Sequence, residues 1–292
     1  METHLSGLPD RPAMRLIVLA GQCRGVADPL AERFGERHRS LIPLAGQPLI
    51  AHVLRTAAAH PAVASLAVCI EREAFDPVWD MLTRLPGRGS VALVEARDNL
   101  GDSVRDAAQG WDGPLIVTTA GHALLSIAAI DAVAEALDHA DAAIALTPCD
   151  QVAAAHRAAP RRCLSLRDGD FVPCDLYGMA GPAAIEAVEV FRGKGRFDRS
   201  GRRIRRAAGL LGLLLIRCRM LTLAAVAALV SRRLGLRLCA VVLPDGAQAI
   251  DVDDEHSYAA ARDLLESRAG TRAGAVPAGE AVPEPRRFSA TA

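Results

Sequence analysis

Small residues and one arginine follow the first apolar run of the chain. The run "RLIVLA" (15–20) is succeeded by "GQCRGVADP", which contains Gly21, Arg24 and Gly25. Glycine lets backbone N–H groups approach a phosphate closely, and arginine offers a fork-shaped donor to phosphate oxygens. The pattern therefore indicates a phosphate-binding loop. Taken alone, the glycines are equally typical of a tight turn, and Arg24 of a protein surface.

Two common phosphate-binding patterns do not fit this loop. The dinucleotide fingerprint GxGxxG is absent from "AGQCRG", which argues against a dinucleotide-dependent oxidoreductase. A Walker loop needs a lysine in the loop, and the only lysine of the chain is Lys194. A different kind of nucleotide site is required.

Strand-like apolar runs alternate with amphipathic stretches through the first half of the chain. The runs are "RLIVLA" (15–20), "SLAVCIE" (65–71), "SVALVEA" (90–96), "PLIVTTA" (114–120) and "DAAIALTP" (141–148). This alternation is typical of βαβ units whose strands are buried on both faces. We predict an α/β fold: a three-layer, Rossmann-like open sheet, mostly parallel with an antiparallel strand, and helices on both faces. Ligands of such sheets bind at the carboxyl ends of the strands, where the small-residue loop lies.

The second half of the chain has a looser pattern. We expect strands near 163–171, 175–181 and 236–244, and a helix over "YAAARDLLESR". We predict a single domain over residues 14–268, with a basic and apolar helical insertion at about 192–235. Residues 1–13 are expected to be a flexible tail, and the Ala-, Pro- and Gly-rich residues 269–292 to be disordered.

Composition excludes several classes of function. The chain has 34 basic and 34 acidic residues, so its net charge of zero gives no reason to expect nucleic-acid binding. The seven cysteines show no CxxC pair and are interpreted as buried thiols of a reducing compartment. The N-terminal residues lack the apolar core of a signal peptide, and a cytoplasmic location is expected. A peripheral membrane contact through residues 192–230 stays open, because eight basic residues precede two short apolar stretches there.

Four segments together resemble the MobA-like NTP transferases, a nucleotidyltransferase family with the glycosyltransferase-A type of α/β fold. They are "LAGQCRGVADPLA", "LIPLAGQPLIAHVL", "PLIVTTAGHALLS" and "AIDVDDEHSYAAARDLL", within residues 14 to 266. The resemblance implies transfer of a nucleoside monophosphate from an NTP to a small phosphorylated acceptor. Pyrophosphate would be released, CTP or GTP is the favoured donor, and a divalent cation, Mg²⁺ or Mn²⁺, would take part.

The resemblance also implies roles for individual residues. Nucleotide binding is expected of Leu19, Ala20, Gly21, Gly25 and Ser103. Arg24 and Arg39 are the candidate catalytic residues, Arg39 standing where the family has a lysine. Asp102 and Ser103 stand at the start of the predicted helix "SVRDAAQG". Instead of a nucleotide-binding role for this helix start, Asp102 can act as its N-cap. Asp175, which replaces a family asparagine, is the candidate acceptor-binding residue, and its charge would repel a phosphate that had no cation nearby.

The expected metal site departs from the family pattern. The family places an aspartate where "TTAGHALL" has Gly121, and the remaining carboxylates are Asp253 and its neighbour Asp251. Mg²⁺ commonly takes one or two protein carboxylates together with phosphate oxygens, so these two are the candidate ligands. His122 is a possible substitute ligand, but a loop residue that packs on the sheet is the better explanation. The alternative to an active enzyme is a catalytically impaired homologue that binds nucleotide or a partner without turnover.

Overall fold

The protein is built around one mixed sheet. The structure, a computed structural model, describes residues 12–22, 27–86, 89–157, 159, 163–185, 212, 214–274 and 286–289. The strands are β1 Met14–Leu19, β2 Pro43–Leu44, β3 Gln47–Pro48, β4 Val63–Ile70, β5 Ser90–Glu95, β6 Leu115–Thr119, β7 Ala142–Pro148, β8 Leu164–Leu166, β9 Gly169–Met179, β10 Leu238–Val242 and β11 Arg286–Ser289.

Strand order in the main sheet is β11-β10-β7-β9-β6-β1-β4-β5, with β8 paired to β9 and with β2 and β3 forming a separate ribbon. The pairs β1–β4, β1–β6, β4–β5 and β7–β10 are parallel. β9 runs antiparallel between β6 and β7. The predicted α/β class, with a mostly parallel sheet interrupted by an antiparallel strand, is confirmed.

Helices cover the sheet. They are α1 Pro29–Arg33, α2 Leu49–Ala59, α3 Phe75–Leu82, α4 Leu100–Ala107, α5 Ile127–Ala136, α6 Cys149–Ala155, α7 Leu223–Leu234 and α8 Glu255–Gly274. Several begin at a side chain that accepts backbone N–H groups, which explains where they start. Asp28 accepts from Leu30 and Ala31 at α1, and Ser126 accepts from Ala129 at α5.

Alternate side chains of β1 enter two different cores. Leu16 and Val18 pack with residues of α2 and α5, whereas Ile17 and Leu19 pack with residues of α4. Leu16, Ile17 and Val18 are fully buried. A strand covered on both faces must be apolar at successive positions, which is the pattern that "RLIVLA" shows.

The direction of chain winding reverses at β1. From β1 the chain moves outward to β4 and β5, and then returns to the other side of β1 as β6. Connections at such a reversal diverge to opposite faces and leave a crevice at the carboxyl ends of the strands. The loops that begin at Ala20 and Ala120 therefore flank the crevice.

Two expectations from the sequence need correction. Helix α8 continues to Gly274, and Arg286–Ser289 pairs antiparallel with β10, so these parts of the supposed C-terminal tail are ordered elements. A strand of four residues gains backbone hydrogen bonds from β10 that its own composition does not reveal. Cys149 and Cys163 form a disulfide, with Cα atoms 6.1 Å apart, although both were expected to be thiols. Cys69, Cys174 and Cys239 are buried as expected, whereas Cys218 is exposed, contrary to the expectation.

The remaining expectations about organisation are not settled by these residues. Residues 1–11 and 186–211, which hold most of the N-terminal tail and the basic part of the insertion, lie outside the described residues. The helical part of the insertion is described as α7, which has Thr222 as its N-cap and ends at Gly235 in the left-handed conformation, with φ of 67°. No helix in the described part of the chain combines the length and apolar character needed to cross a membrane.

Candidate functional site

Backbone hydrogen bonds join the carboxyl ends of four neighbouring strands. The N–H of Ala20 donates to Cys69 O at 2.8 Å, and that of Ala120 donates to Leu19 O at 2.9 Å. The N–H of Ala96 donates to Ile70 O at 2.9 Å. These bonds fix the first residue after β1, β5 and β6, so the loops that follow these three strands begin from rigid positions. One of these bonds occupies the Leu19 carbonyl, and the Leu19 side chain lies in the core. The part of the loop that can contact a ligand therefore begins after Ala20.

Gly21 is a glycine because nothing larger fits. A Cβ atom at Gly21 would lie 2.6 Å from the Cβ of Ala96, which follows β5. The expected loop thus approaches the neighbouring strand end closely. Crowding by Ala96 accounts for this glycine without a tight turn. Arg24 and Gly25, the next candidate residues, lie outside the described residues.

Gln22 ties the opening loop to the segment before α2. Its side-chain Nε2 donates to Arg37 O at 2.7 Å, and its Oε1 accepts the N–H of Arg39 at 3.1 Å. Gln22 is not among the site residues that the sequence predicts. The polar residue between two small ones was its only signal in the sequence.

A carboxylate accepts the backbone N–H at the start of the loop. Glu71, directly after β4, accepts the Gln22 N–H through Oε1 at 2.5 Å. Its Oε2 lies 3.3 Å from Nδ1 of His38, and both side chains are largely buried. An anion therefore already contacts the first available amide of this loop. Glu71 was not predicted from the sequence, because an acid at a strand end is common in surface turns.

Arg39 also faces an acid. Its Nη1 lies 3.1 Å from Oδ2 of Asp28, and the two side chains are 20% and 14% exposed. Oδ1 of the same aspartate accepts the N–H groups of Leu30 and Ala31 and so caps α1. The structure therefore places Arg39 at the crevice, with its charge balanced by a carboxylate that is held by a helix.

Gly121, where the family pattern has an aspartate, is adjacent to Asp251. A Cβ atom at Gly121 would lie 2.9 Å from Cγ of Asp251 and 3.1 Å from its Oδ2, and closer still to Oδ1. The Thr119 hydroxyl donates to Asp251 Oδ1 at 2.6 Å. The carboxylate of Asp251 therefore lies beside the position at which the family pattern has an aspartate.

His122 lies buried beside this carboxylate. It is 1% exposed, and its Nδ1 is 3.0 Å from the Thr118 hydroxyl. Desolvation lowers the pKa of His122 to about 4, although the negative charges of Asp251 and Asp245 act in the opposite direction. Its Nε2 has no hydrogen-bond partner of normal geometry in the described part of the chain. The ring is therefore neutral at ordinary pH.

Asp253 has a different environment from Asp251. The Ser257 hydroxyl lies 3.3 Å from its Oδ1 and bonds the backbone N–H groups of Asp253 and Asp254 at the start of α8. This arrangement caps a helix. Of the two candidate metal ligands, Asp251 is the one whose carboxylate contacts the position of Gly121, whereas Asp253 lies two residues before α8.

A hard divalent cation that arrives with a nucleotide fits Asp251. Mg²⁺ accepts one or two carboxylates and completes its shell with phosphate oxygens and water. Across the described residues, no group of three or more His, Cys, Asp or Glu side chains is arranged to hold a metal. The donor set therefore suits a cation shared with a ligand rather than a site built from protein alone.

Ser103 lies inside α4 and is 2% exposed. Its Oγ accepts the N–H of Arg97 at 2.8 Å, and so closes the loop between β5 and α4. The N-cap of this helix is Asn99 and not Asp102, which instead contacts Asn99 and Arg105. The loop of residues 96–99, shaped by Ser103, borders Gly21.

Asp175 lies at the same end of the sheet. Leu176 pairs with Thr118 in the antiparallel β6–β9 ladder, which places Asp175 in register beside Thr119. The backbone of Asp175 is left-handed, with φ of 45°, at a register shift opposite β7. The Tyr177 hydroxyl donates to its Oδ1 at 3.2 Å. A non-glycine residue in this conformation is uncommon and is often found at a binding site.

Comparisons with family models and with curated proteins gave one match. Residues 25–160 match the model of the family described as IspD: 2-C-methyl-D-erythritol 4-phosphate cytidylyltransferase. The matched part is less than half of the chain. No curated protein matches the chain at a significant level.

Solved structures share the fold over most of the chain. A hypothetical transferase from Thermus thermophilus has a TM-score of 0.65 and 24% identity, covering 85% of this chain and 99% of that one. A 4-diphosphocytidyl-2C-methyl-D-erythritol synthase from Anaerococcus prevotii has a TM-score of 0.55 and 11% identity, over 87% and 99% of the two chains. A CMP:2-keto-3-deoxy-manno-octonic acid synthetase complexed with CTP has a TM-score of 0.52 and 11% identity, over 88% and 99%.

The comparisons refine the resemblance drawn from the sequence. The matching family model is a cytidylyltransferase, and the similarity lies at the level of NTP transferases rather than of their MobA-like branch. The chain has the open α/β fold of nucleotidyltransferases, and over residues 25–160 it is similar to the IspD family.

Proposed function

We propose that this protein is a nucleotidyltransferase that transfers CMP from CTP to a small phosphorylated acceptor. The proposal is supported by residues at neighbouring strand ends on either side of the reversal of strand order: Gly21 follows β1, Gln22 Oε1 accepts the N–H of Arg39, and Asp251 contacts the position of Gly121 after β6. The match of residues 25–160 to a cytidylyltransferase family supports CTP over GTP. An oxygen of the acceptor phosphate attacks the α-phosphorus, and the bond to the pyrophosphate leaving group breaks.

Each candidate residue has a role in this proposal. The triphosphate lies along the loop that contains Gly21, Arg24 and Gly25, with Arg39 offsetting its charge. The loop closed by Ser103 faces the base or ribose. Asp251, and Asp253 secondarily, would hold a divalent cation, Mg²⁺ or Mn²⁺, and such a cation would supply positive charge that offsets the charge of the phosphates. Asp175 contacts the acceptor.

The test has two stages. A thermal-shift panel of CTP, GTP, ATP and UTP, with and without Mg²⁺, identifies the nucleotide, because a ligand that binds only the folded state raises the Tm. Pyrophosphate release is then measured with CTP and a panel of sugar and polyol phosphates. We expect stabilisation by CTP and release that requires both a cation and one phosphorylated acceptor. Stabilisation by no NTP contradicts the proposal.

Arg24 provides a sharper test of the loop. Replacing Arg24 with Ala removes a charge-assisted phosphate contact of roughly 1.5–3 kcal/mol, so CTP should bind about tenfold more weakly or worse. Arg55→Ala is the matched control, because Arg55 is exposed on α2. Equal CTP titrations for the Arg24→Ala variant and the unmodified protein would remove Arg24 from the site.

A second candidate function has a specific observation in its favour. Glu71 and Asp28 already contact the Gln22 amide and the Arg39 guanidinium, so the polar groups expected to receive phosphate are partly neutralised. This arrangement supports a catalytically impaired homologue that binds nucleotide or a partner without turnover. Nucleotide-dependent stabilisation without pyrophosphate release from any acceptor favours this function.

Two further proposals concern the basic insertion and the location of the protein. We propose a cytoplasmic protein whose residues 192–206 form a solvated basic face, with membrane-surface contact as the competing outcome. Co-sedimentation with anionic and neutral vesicles at low and high salt distinguishes the two. Pelleting that needs anionic lipid, and that is lost when Arg202, Arg203, Arg205 and Arg206 are changed to Ser, overturns the solvated-face proposal.

A further inference from the structure

The space beside Gly121 is filled by the side chain of Asp251. Cγ and both carboxylate oxygens of Asp251 lie within 3.1 Å of the position that a Cβ atom at residue 121 would occupy. Separations below about 3 Å between such atoms are strongly repulsive, so any larger residue at 121 must displace Asp251 or the backbone. Gly121 is also absent from the residues with positive φ. Space, and not backbone conformation, therefore requires the glycine.

The backbone cannot move apart to relieve such a clash. The N–H of Val252 donates to Gly121 O at 2.9 Å, which fixes the spacing between the two segments. Gly121 O also accepts the N–H of Ala123 at 2.8 Å, and Ala120 is bonded to β1. The two segments are thus clamped at the point where residues 121 and 251 face each other.

Asp251 is held in this space by a directed hydrogen bond. Thr119, the last residue of β6, donates its hydroxyl proton to Oδ1 at 2.6 Å. The chain enters Asp251 from Ile250, which follows the 3₁₀ turn Gly246–Ala249. Gln248 of that turn is bonded to Leu124 O at 3.0 Å and to Asp245 Oδ2 at 2.9 Å. The carboxylate is therefore positioned from both sides.

We propose that Gly121 leaves room for the carboxylate of Asp251 at the end of β6, and that a carboxylate introduced at residue 121 would occupy the same position and displace that of Asp251. Gly121 makes this arrangement possible, because a residue without a side chain leaves room for the carboxylate of Asp251. Thr119 is a positioning residue that holds it there. That this carboxylate serves a divalent cation rests on the proposed function, whereas the exclusion between the two residues does not.

Stability measurements test the mutual exclusion directly. Gly121→Ala should lower the Tm by about 4–10 °C, as expected for overpacking of a buried position in a chain of this size. In an Asp251→Ala background the same change should lower the Tm by less than half as much, because its collision partner is gone. Equal losses in the two backgrounds overturn the proposal. Gly181→Ala is the control, because a Cβ there would lie 3.7 Å from Asp112 O.

Cation binding tests whether the carboxylate can be transplanted. Mn²⁺ affinity is measured by electron paramagnetic resonance with CTP bound and no acceptor present, so no turnover is required. Asp251→Gly should weaken Mn²⁺ binding at least tenfold, and Gly121→Asp alone should weaken it and lower the Tm. The double variant Gly121→Asp with Asp251→Gly should return Mn²⁺ affinity to within about threefold of the unmodified protein.

Controls separate this inference from the proposed function. Asp138→Asn removes an exposed carboxylate just after α5 and should leave Mn²⁺ binding unchanged. A folded double variant that binds Mn²⁺ no better than Asp251→Gly overturns the transplantation. If the unmodified protein binds neither CTP nor Mn²⁺, the proposed function fails, and the stability experiment still decides whether residues 121 and 251 exclude each other.

Discussion

The backbone N–H of Gln22 donates to Oε1 of Glu71 at 2.5 Å. This bond joins the first turn after β1 to the end of β4, at the place where the proposed triphosphate would lie. The side chain of Glu71 is 17% exposed, so its charge is only partly screened by water. A bound triphosphate would compete with this carboxylate for the same amide.

Removing the charge of Glu71 is therefore expected to strengthen CTP binding. Glu71→Gln keeps an oxygen for the Gln22 N–H and abolishes a repulsion of about 1 kcal/mol, which corresponds to about fivefold in Kd. Isothermal titration with CTP measures the change. Glu95→Gln is the matched control, because Glu95 ends the neighbouring strand β5 and pairs with the exposed Arg72. Unchanged or weaker binding by Glu71→Gln would show that the two anions do not compete.

Arg39 and Asp28 should affect nucleotide binding in opposite directions. Arg39→Ala removes a charge-assisted contact and should weaken CTP binding about tenfold. Asp28→Asn should strengthen it, because the guanidinium loses its carboxylate partner while asparagine still caps α1. Both variants are compared in the same titration, with Tm as a check on folding. Two changes of the same sign contradict a role for this pair in phosphate binding.

The buried His122 should make the protein sensitive to acid. Its pKa is about 4 when folded, against about 6.5 in an unfolded chain, so the unfolded state binds more protons below pH 6.5. Its contribution is fully present above pH 6.5 and is lost as the pH falls towards 4. Between pH 7 and pH 5 the unmodified protein should lose about 2 kcal/mol of unfolding free energy through this group.

The variant His122→Asn isolates that contribution. Asparagine can still hydrogen-bond the Thr118 hydroxyl but does not titrate in this range. Urea unfolding at pH 7 and pH 5 gives the two free energies for each protein. We expect a smaller decrease for the variant. Identical decreases would mean that the imidazole does not control acid stability.

Gly246 should tolerate no side chain. A Cβ atom there would lie 2.6 Å from the backbone N of Val152 in α6, and closer still to the Gln151 carbonyl. Gly246→Ala is expected to cost about 2–3 kcal/mol or more, because backbone atoms of α6 cannot rotate away. Because this turn leads to Asp251, the variant should also weaken cation binding. Stability within about 0.5 kcal/mol of the unmodified protein contradicts this account.

The strands of the first half of the chain could be predicted closely from their apolar runs. "SVALVEA" at 90–96 became β5 Ser90–Glu95, and "DAAIALTP" at 141–148 became β7 Ala142–Pro148. Such runs are informative because both faces of these strands are buried. β11 was not predicted, since Arg286–Ser289 has no apolar pattern and depends on hydrogen bonds to β10.

The candidate site could be predicted from the sequence less completely than the fold. Asp251 and Asp253 are two residues apart, so the sequence predicts both as metal ligands. The packing of Asp251 against Gly121 distinguishes them in the structure. Glu71 and Gln22 were missed because their role depends on contacts between strand ends distant in sequence. The Cys149–Cys163 disulfide was not predicted for the same reason. The thirteen residues between the two cysteines do not indicate that the chain brings them together.

The placement of β11 has a consequence for the handling of shortened forms of the protein. Without Arg286–Ser289, the strand Leu238–Val242 would present unpaired N–H and C=O groups along "LCAVV". An exposed apolar strand of this kind is a template for pairing with another molecule. We therefore expect β11 to protect β10 against pairing with another molecule, so that removal of residues 286–289 would lower solubility although no proposed binding residue is lost.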